Sequence, residues 1–188
     1  MDKFKIILGS KSPRRQELIK ELGFPFEIRT KEVEENYPDN LPALEVAGYL
    51  AKLKAAPLID SLQDGEILLT SDTVVLHQKK ILGKPKNKEE AFYMLRSLSG
   101  NSHEVITGVN LVSKNKEYNF STSTTVYFSE LSDEQIHYYI DNYQPFDKAG
   151  SYGIQEWIGM VGIEKIEGCF YNVMGLPVHE LYKTLLNF

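Results

Sequence analysis

Residues 4–23 constrain this chain more than any other stretch. Phe4-Lys5-Ile6-Ile7-Leu8 is a short apolar run rich in β-formers and predicts a strand. Gly9 and Ser10 break it. Ser12 is placed to cap a helix, and Pro13 falls at the first helical position, where a missing N–H costs nothing. Leu18, Ile19 and Leu22 give that helix an apolar face, and Gly23 ends it. A strand that passes through a small-residue turn into a helix presents free N–H groups and the positive end of a dipole. Arg14 and Arg15 sit in the first turn, where that same dipole disfavours cations. Backbone N–H groups, the hydroxyls of Ser10 and Ser12 and two guanidiniums within six residues point to an anion site. Solvated surface arginines are the plain alternative. The stretch has neither the Gly-x-x-x-x-Gly-Lys-[Ser/Thr] pattern nor the dinucleotide Gly-x-Gly-x-x-Gly pattern, so a different class of phosphate enzyme is expected.

A chain of 188 residues can bury a real core, and one domain over 1–188, with or without two lobes, is expected. A net charge of −5 argues against a general nucleic-acid binder, which would carry a basic face, but leaves room for a local basic pocket. The single cysteine, Cys169, cannot form an internal disulfide, and no Cys/His metal cluster is visible. No apolar run approaches the ~18 residues of a membrane span, and no apolar leader opens the chain. A cytoplasmic protein is the expectation.

Phe24 to Val33 predicts a second strand, which would place Glu32 and Glu34 on one face. Asn36 to Pro42 is a turn-rich loop, and Ala43 to about Ile59 a helix with Val46, Leu50 and Leu53 in one stripe and Lys52 and Lys54 beside it. Ile67-Leu68-Leu69 predicts a buried strand. Asp72 then stands between that run and Val74-Val75-Leu76, a conflict between charge and burial of the kind that marks function, with a turn aspartate as the alternative. Gln78-Lys79-Lys80 is a turn and Ile81-Leu82 a return strand. Pro85 keeps Lys84 extended, which aims a lysine well, although a plain loop lysine has the same spacing. Asn87 caps a helix to Leu98, with Ala91, Met94, Leu95 and Leu98 on its core face. His103–Val112 and Glu117–Phe128 form a hairpin around Lys114-Asn115-Lys116. Ser132 and Gln135 make a capping box for a helix to about Tyr143. A polar, glycine-rich loop runs from Asp147 to Gln155, Gly159–Ile166 predicts a further strand, and Asn172 to Pro177 starts the last helix. Alternating β and α elements with a long inserted hairpin predict an α/β protein with a mixed central sheet flanked by helices. The natural ligand site is a cleft between the first strand–helix unit and the hairpin-containing half.

Together these residues form one constellation: an arginine-rich helix start, acids at Glu34 and Asp72, and lysines at Lys54 and Lys84. Hydrolysis of a nucleotide phosphate needs such parts. Basic groups clamp phosphate oxygens, carboxylates hold Mg²⁺ or Mn²⁺, and one carboxylate orients or deprotonates water.

The chain resembles the Maf family of nucleoside triphosphate pyrophosphatases over essentially its whole length. The matching motifs are Ser10-x-Ser12-Pro13-Arg14-Arg15-x-Glu17-Leu18, Val33-Glu34-Glu35, Lys54-Ala55, Ser71-Asp72-Thr73-Val74, Gly83-Lys84-Pro85, Ser99-Gly100-x-x-His103, Thr107-Gly108-Val109, Asp147-x-Ala149-Gly150-x-Tyr152-x-Ile154-Gln155 and Gly175-Leu176-Pro177. No single motif is specific; the set in this order is. Glu34 stands where some members have Asp, and Gly9 where Ala is common. The resemblance implies an elongated, two-lobed fold similar to the inosine triphosphatase group, with the site in the cleft. It implies cleavage between the α and β phosphates to a monophosphate and pyrophosphate, with a divalent cation as cofactor. It implies Asp72 as general base and metal ligand, Glu34 as its metal partner, and Ser10, Arg14, Arg15, Lys54 and Lys84 as the phosphate-binding set. A homodimer is also what the family implies; the acidic charge and the lack of a long apolar run lead us to expect no nucleic-acid or membrane partner.

The resemblance extends to a branch. Members acting on dTTP and UTP have Arg, Thr and Gln at the specificity positions, and members acting on 7-methyl-GTP have Trp, Gln and Glu. This chain has Arg14, Thr73 and Gln155, like the dTTP/UTP branch, with base-modified pyrimidine triphosphates as further candidate substrates. A carboxamide both donates and accepts, which matches the O4/N3–H edge of uracil or thymine, whereas glutamate only accepts and suits the donor edge of guanine. Two other readings stay open: a non-catalytic nucleotide-binding regulator of cell division, and a nucleic-acid binder using the Arg14/Arg15 patch. Intact Asp72 favours the enzyme over the first, and acidic net charge disfavours the second. If the Gln155 side chain reads the base, Gln155→Glu shifts substrate preference away from pyrimidines in a triphosphate panel; an unchanged preference removes Gln155 from base recognition.

Overall fold

The computed structural model describes residues 4–188. In chain order the elements are β1 (Lys5–Leu8), α1 (Pro13–Glu21), β2 (Phe26–Ile28), α2 (Ala43–Ala55), β3 (Glu66–His77), β4 (Lys80–Leu82), α3 (Lys88–Leu98), β5 (Ser102–Val112), β6 (Glu117–Phe128), α4 (Asp133–Tyr143), α5 (Trp157–Gly162), β7 (Ile163–Glu167), α6 (Phe170–Met174) and α7 (Val178–Leu186). The chain forms two compact units. The first holds residues 1–72, 107–122 and 175–188, and the second holds 73–106 and 123–174, so β3, β5 and β6 each contribute to both. Among the described residues no helix is long and apolar enough to cross a membrane.

In the first unit the strand order is β2-β1-β3-β5-β6. β1 pairs in parallel with both neighbours, Ile6 opposite Phe26 and Ile67. Ile6, Ile7 and Leu8 are fully buried, as strands covered on both faces require. Ile7, Leu68 and Val112 pack with Ala55 at the end of α2, Leu58 of the 3₁₀ turn Ala56–Ser61 and Leu62 just after it. The predicted helix over 43–59 therefore changes pitch at Ala56–Pro57, since Pro57 has no N–H to extend the α ladder.

In the second unit β4 pairs antiparallel with β3, and β7 pairs antiparallel with β6, on either side of β5. The sheet is thus mixed, as the alternation of elements implies. Gln78 and Lys79 both have positive φ, the twisted two-residue turn that a β3–β4 hairpin needs. The Asn87 side chain accepts the Glu90 N–H, and the Ser132–Gln135 capping box forms in both directions. Ala91, Leu95 and Leu98 of α3 and Ile136, Tyr139 and Ile140 of α4 pack with Val75, Val105, Val126 and Phe128. His103 shares a 2.6 Å hydrogen bond with the Tyr152 hydroxyl inside this core, and burial pushes its pKa down to about 3, leaving a neutral imidazole.

Three expected elements differ. The second strand ends at Ile28 rather than Val33, because β1 stops at Leu8 and offers no further ladder beyond the Arg29 N–H to Leu8 O bond. Glu32 and Glu34 are consequently loop residues and share no strand face. The start of the strand expected over 159–166 is helix α5: Gly159 lies so near Ile154 that a Cβ would fall 1.8 Å from the Ile154 carbonyl oxygen, and only β7 is extended. The last helix is two, because Gly175 takes φ +115° and Pro177 follows it, so α6 ends at Met174 and α7 begins at Val178. Asn172 on α6 is buried and donates to Val105 O and Thr124 Oγ1.

Gly108 on β5 faces the backbone of α2: a Cβ there would meet the Ala47 carbonyl and the Gly48 nitrogen at 2.3 Å. Gly108→Ala must push helix and strand apart and should cost about 1–3 kcal/mol, read as a lower denaturant midpoint. Gly83→Ala, where a Cβ meets nothing within 4 Å, is the control and should be near neutral.

Candidate active site

A group of charged side chains forms where α2 packs on β3. The Thr70 hydroxyl donates to the Ala51 carbonyl at 2.7 Å and fixes the helix against the strand. Asp72 stands two residues after Thr70, so it projects from the same face of the strand. Lys54 stands three residues after Ala51, so it projects from the same side of the helix. The two side chains therefore meet: Lys54 Nζ donates to Asp72 Oδ1. Lys54 lies in the last turn of α2, where the dipole favours a cation. Both side chains are sheltered, 18% and 11% exposed.

A second carboxylate reaches the same ammonium. Glu35 Oε1 lies 3.0 Å from Lys54 Nζ. Glu35 belongs to the irregular stretch after β2, which Arg29 anchors. The Arg29 guanidinium forks onto Glu66, Nη1 to Oε2 and Nη2 to Oε1, both at 3.1 Å, and Nη1 also donates to the Ser61 carbonyl. The Arg29 N–H continues the ladder onto Leu8 O. Glu34 is exposed and its Oε2 accepts from Asn36 Nδ2 at 3.1 Å. Sequence reading of the acidic triplet selects Glu34; in the structure Glu35 is the acid that meets Asp72 on Lys54. Glu34 and Glu35 both lie in the loop after β2, where strand alternation does not apply.

The strand–turn–helix start also faces this group. Ser12 occupies the cap position with Pro13 behind it, but its side chain makes no capping bond. Ser10 is buried instead, and its Oγ accepts the Ser12 N–H at 3.2 Å, which leaves its O–H able to donate. Arg15 holds the helix to two other segments: Nε donates to Gly175 O at 2.8 Å and Nη1 to Ser71 O at 2.9 Å. Desolvation lowers the Arg15 pKa from its ordinary value, and the charge of Asp72 offsets part of that while Arg14 adds to it. Arg14 is partly exposed on the same turn.

Thr73, Lys84 and Gln155 belong to the second unit. Thr73 directly follows Asp72 on β3, so its side chain leaves the opposite face of the strand. Lys84 is exposed between Gly83 and buried Pro85. The Gly83 carbonyl accepts the Gly150 N–H at 3.0 Å, which ties the lysine segment to the glycine-rich loop. Gly150 has φ +69°, and a Cβ there would press on Val75 at 3.1–3.3 Å. Gln155 is exposed in a turn closed by the Glu156 N–H on Gly153 O at 3.0 Å. The structure thus joins Lys54 to Asp72 directly, with Arg15 one backbone bond away through Ser71. It adds Glu35 and Arg29, which sequence reading passes over. A doubled acid after a strand was the available signal for Glu35; nothing in the sequence pairs Arg29 with Glu66.

Chemically, one sheltered carboxylate bonded by an ammonium, with a guanidinium and a hydroxyl beside it, suits a polyanionic substrate and an attacking water. Arg15 and Arg14 should separate on mutation. Arg15→Lys loses the planar fork that serves two carbonyls and should cost about 2–3 kcal/mol, read as a lower unfolding midpoint. Arg14→Ala should raise KM for a nucleotide substrate.

Comparison with known proteins places this geometry. A family profile described as Maf-like protein matches residues 5–188, a single match that runs through both units. The dTTP/UTP pyrophosphatase of Flavobacterium psychrophilum is 55% identical over 183 residues, 97% of this chain and 94% of that protein. Those of Flavobacterium johnsoniae and Parabacteroides distasonis are 52% and 48% identical, over 98% and 100% of this chain and 95% and 98% of theirs. Among solved structures the Staphylococcus aureus Ham1 protein aligns at a TM-score of 0.49 with 14% identity, over 69% of this chain and 72% of that one. With a family match over nearly its entire length and relatives at about half identity, the chain belongs to the Maf family.

Proposed function

We propose that this protein is a nucleoside triphosphate pyrophosphatase that hydrolyses dTTP and UTP, and base-modified pyrimidine triphosphates, between the α and β phosphates. Relatives about 50% identical over nearly the full chain are named dTTP/UTP pyrophosphatase. The observation that carries the reading is Asp72, a sheltered carboxylate inside a strand with Lys54 bonded to it.

In this reading water adds across the α–β anhydride, the bridging P–O bond breaks, and the monophosphate and pyrophosphate leave. Asp72 orients the water and takes its proton. Lys54, Arg14 and the Ser10 hydroxyl carry the phosphate oxygens, and Arg15 contributes charge from a position fixed by Ser71 and Gly175. Lys84 adds a further cation to the triphosphate, and Thr73 and Gln155 serve the base. The whole chain acts as one catalytic domain, as a homodimer.

A divalent cation fits the acidic side of this group. Asp72 and Glu35 converge on one cation already, the Lys54 ammonium, and their oxygens are hard donors of the type Mg²⁺ and Mn²⁺ prefer. Among the described residues no cluster of three or more His, Cys, Asp or Glu forms a closed cage. Mg²⁺ characteristically binds through one or two carboxylates, with the rest of its shell from water and phosphate. Asp72 and Glu35 would hold it. Such an ion neutralises phosphate charge and makes bound water more acidic.

Asp72→Asn should lower turnover of dTTP by about 10²–10⁴ while nucleotide binding persists. The assay is pyrophosphate and monophosphate release from a panel of normal and base-modified triphosphates with Mg²⁺ or Mn²⁺. Near-normal turnover in Asp72→Asn removes Asp72 as base. Preference for 7-methyl-GTP keeps the reaction and discards the pyrimidine assignment, and binding without release from any triphosphate identifies a nucleotide-binding regulator instead.

A further inference from the structure

Tyr139 on α4 is fully buried, yet its hydroxyl makes two hydrogen bonds to one four-residue turn in the same unit. It accepts the Gly153 N–H at 2.9 Å and donates to Glu156 Oε2. Gly153 and Glu156 are the ends of the turn that the Glu156 N–H closes on Gly153 O. Ile154 and Gln155 lie between them. Ile154 is buried in the core, and Gln155 is exposed. One phenol oxygen therefore grips both shoulders of the turn that displays Gln155.

Lys148 completes the clamp. Its side chain is 9% exposed, with Nζ 3.2 Å from Glu156 Oε1 and 2.8 Å from Asp147 Oδ1. The Glu156 carboxylate is thus held on one oxygen by the phenol and on the other by the ammonium. Gly153 leaves room for this: a Cβ there would meet Glu156 Cδ at 2.8 Å and Lys148 Cε at 3.1 Å. Desolvation, and then the Glu156 carboxylate, raise the Tyr139 pKa from its ordinary value, so the phenol keeps its proton and remains the donor. A buried network with every member bonded gives a unique backbone position rather than an ensemble.

That rigidity has a use. An exposed glutamine has several rotatable bonds, and hydrogen-bond discrimination between nucleobase edges requires placement to within about 0.5 Å. We propose that Tyr139, acting with Glu156 and Lys148, is the positioning residue for Gln155, and that this clamp sets base selectivity rather than the rate of phosphate chemistry. The inference rests on the reading that Gln155 meets the base.

The test is Tyr139→Phe, which removes the hydroxyl and keeps the ring. Steady-state kinetics on dTTP, UTP, dCTP and dGTP should show the preference for dTTP and UTP over dCTP and dGTP falling about tenfold, the scale of one misplaced hydrogen bond. The loss should appear in KM, with kcat for dTTP kept within about threefold. Ile136→Val, a core change on the same helix, is the stability control; it should lower the unfolding midpoint and leave selectivity alone. The double variant Tyr139→Phe/Gln155→Glu should lose no more selectivity than Gln155→Glu alone. Should Tyr139→Phe not fold, Glu156→Gln weakens the clamp on its other arm and must lower selectivity in the same direction. Selectivity lost in Gln155→Glu but intact in Tyr139→Phe and Glu156→Gln overturns the inference and makes the network purely structural. Selectivity intact in Gln155→Glu overturns the base reading itself, and the inference with it.

Discussion

Lys54 and Asp72 meet where helix α2 packs on strand β3, and much of the first unit serves to hold them there. Removing two charges from water is costly, and the attraction between them offsets that cost only when geometry is good and the remaining valences are satisfied. The protein supplies this through exact packing of the backbones. Gly108 and Thr70 set the height of the helix above the sheet, one by lacking a Cβ and one by bonding to Ala51. Glu35 adds a second carboxylate to the ammonium. Swapping Asp72 for an apolar residue of similar size would leave the ammonium with Glu35 alone.

Arg15 shows how a helix start that reads as an anion site is also a structural joint. Its guanidinium satisfies carbonyls from β3 and from the break between α6 and α7. A half-buried cation held by neutral carbonyls stays charged at a desolvation cost, which the negative charge of Asp72 partly offsets. Charge at this turn is therefore coupled to charge on β3, and the first unit carries its cations and its acids as one set. The second unit does something similar with Lys148, Glu156 and Tyr139, where a buried ion pair is completed by a phenol and a backbone N–H. In both places the polar groups are nearly all bonded, which is the condition under which buried charge specifies a single conformation.

Much of the architecture was legible locally. The helix from Pro13, the Asn87 and Ser132 caps, the hairpin at 113–116 and the mixed sheet follow from periodicity and capping chemistry. The failures share one cause. Residues 29–35, Trp157–Gly162 and the chain around Gly175 each have sequences compatible with the expected element. Each was decided by what lies nearby: the end of β1 at Leu8, the carbonyl of Ile154, and the φ of +115° at Gly175. Of the candidate site, Ser10 and Asp72 could be picked out because they interrupt apolar runs and Arg15 because it sits in a helix's first turn, while Lys54 entered through its place in the constellation and the family resemblance. Glu35 carried only the weak signal of a doubled acid, and nothing local pairs Arg29 with Glu66.

The sequence by itself determined most of the elements, the Asn87 and Ser132 caps, the family and the chemical types that the site can contain. Those depend on residues within one or two turns of each other, where backbone sterics and short-range hydrogen bonds decide. Tertiary structure alone decided which acid shares Lys54 with Asp72, which carbonyls hold Arg15, and that one buried phenol grips both ends of the Gln155 turn. The partners in the Arg15–Gly175 bond are 160 residues apart, and those in the Lys54–Asp72 pair 18. No local pattern encodes such meetings, because they exist only once the sheet has fixed the register of β1, β3 and β5 and the helices have settled on it.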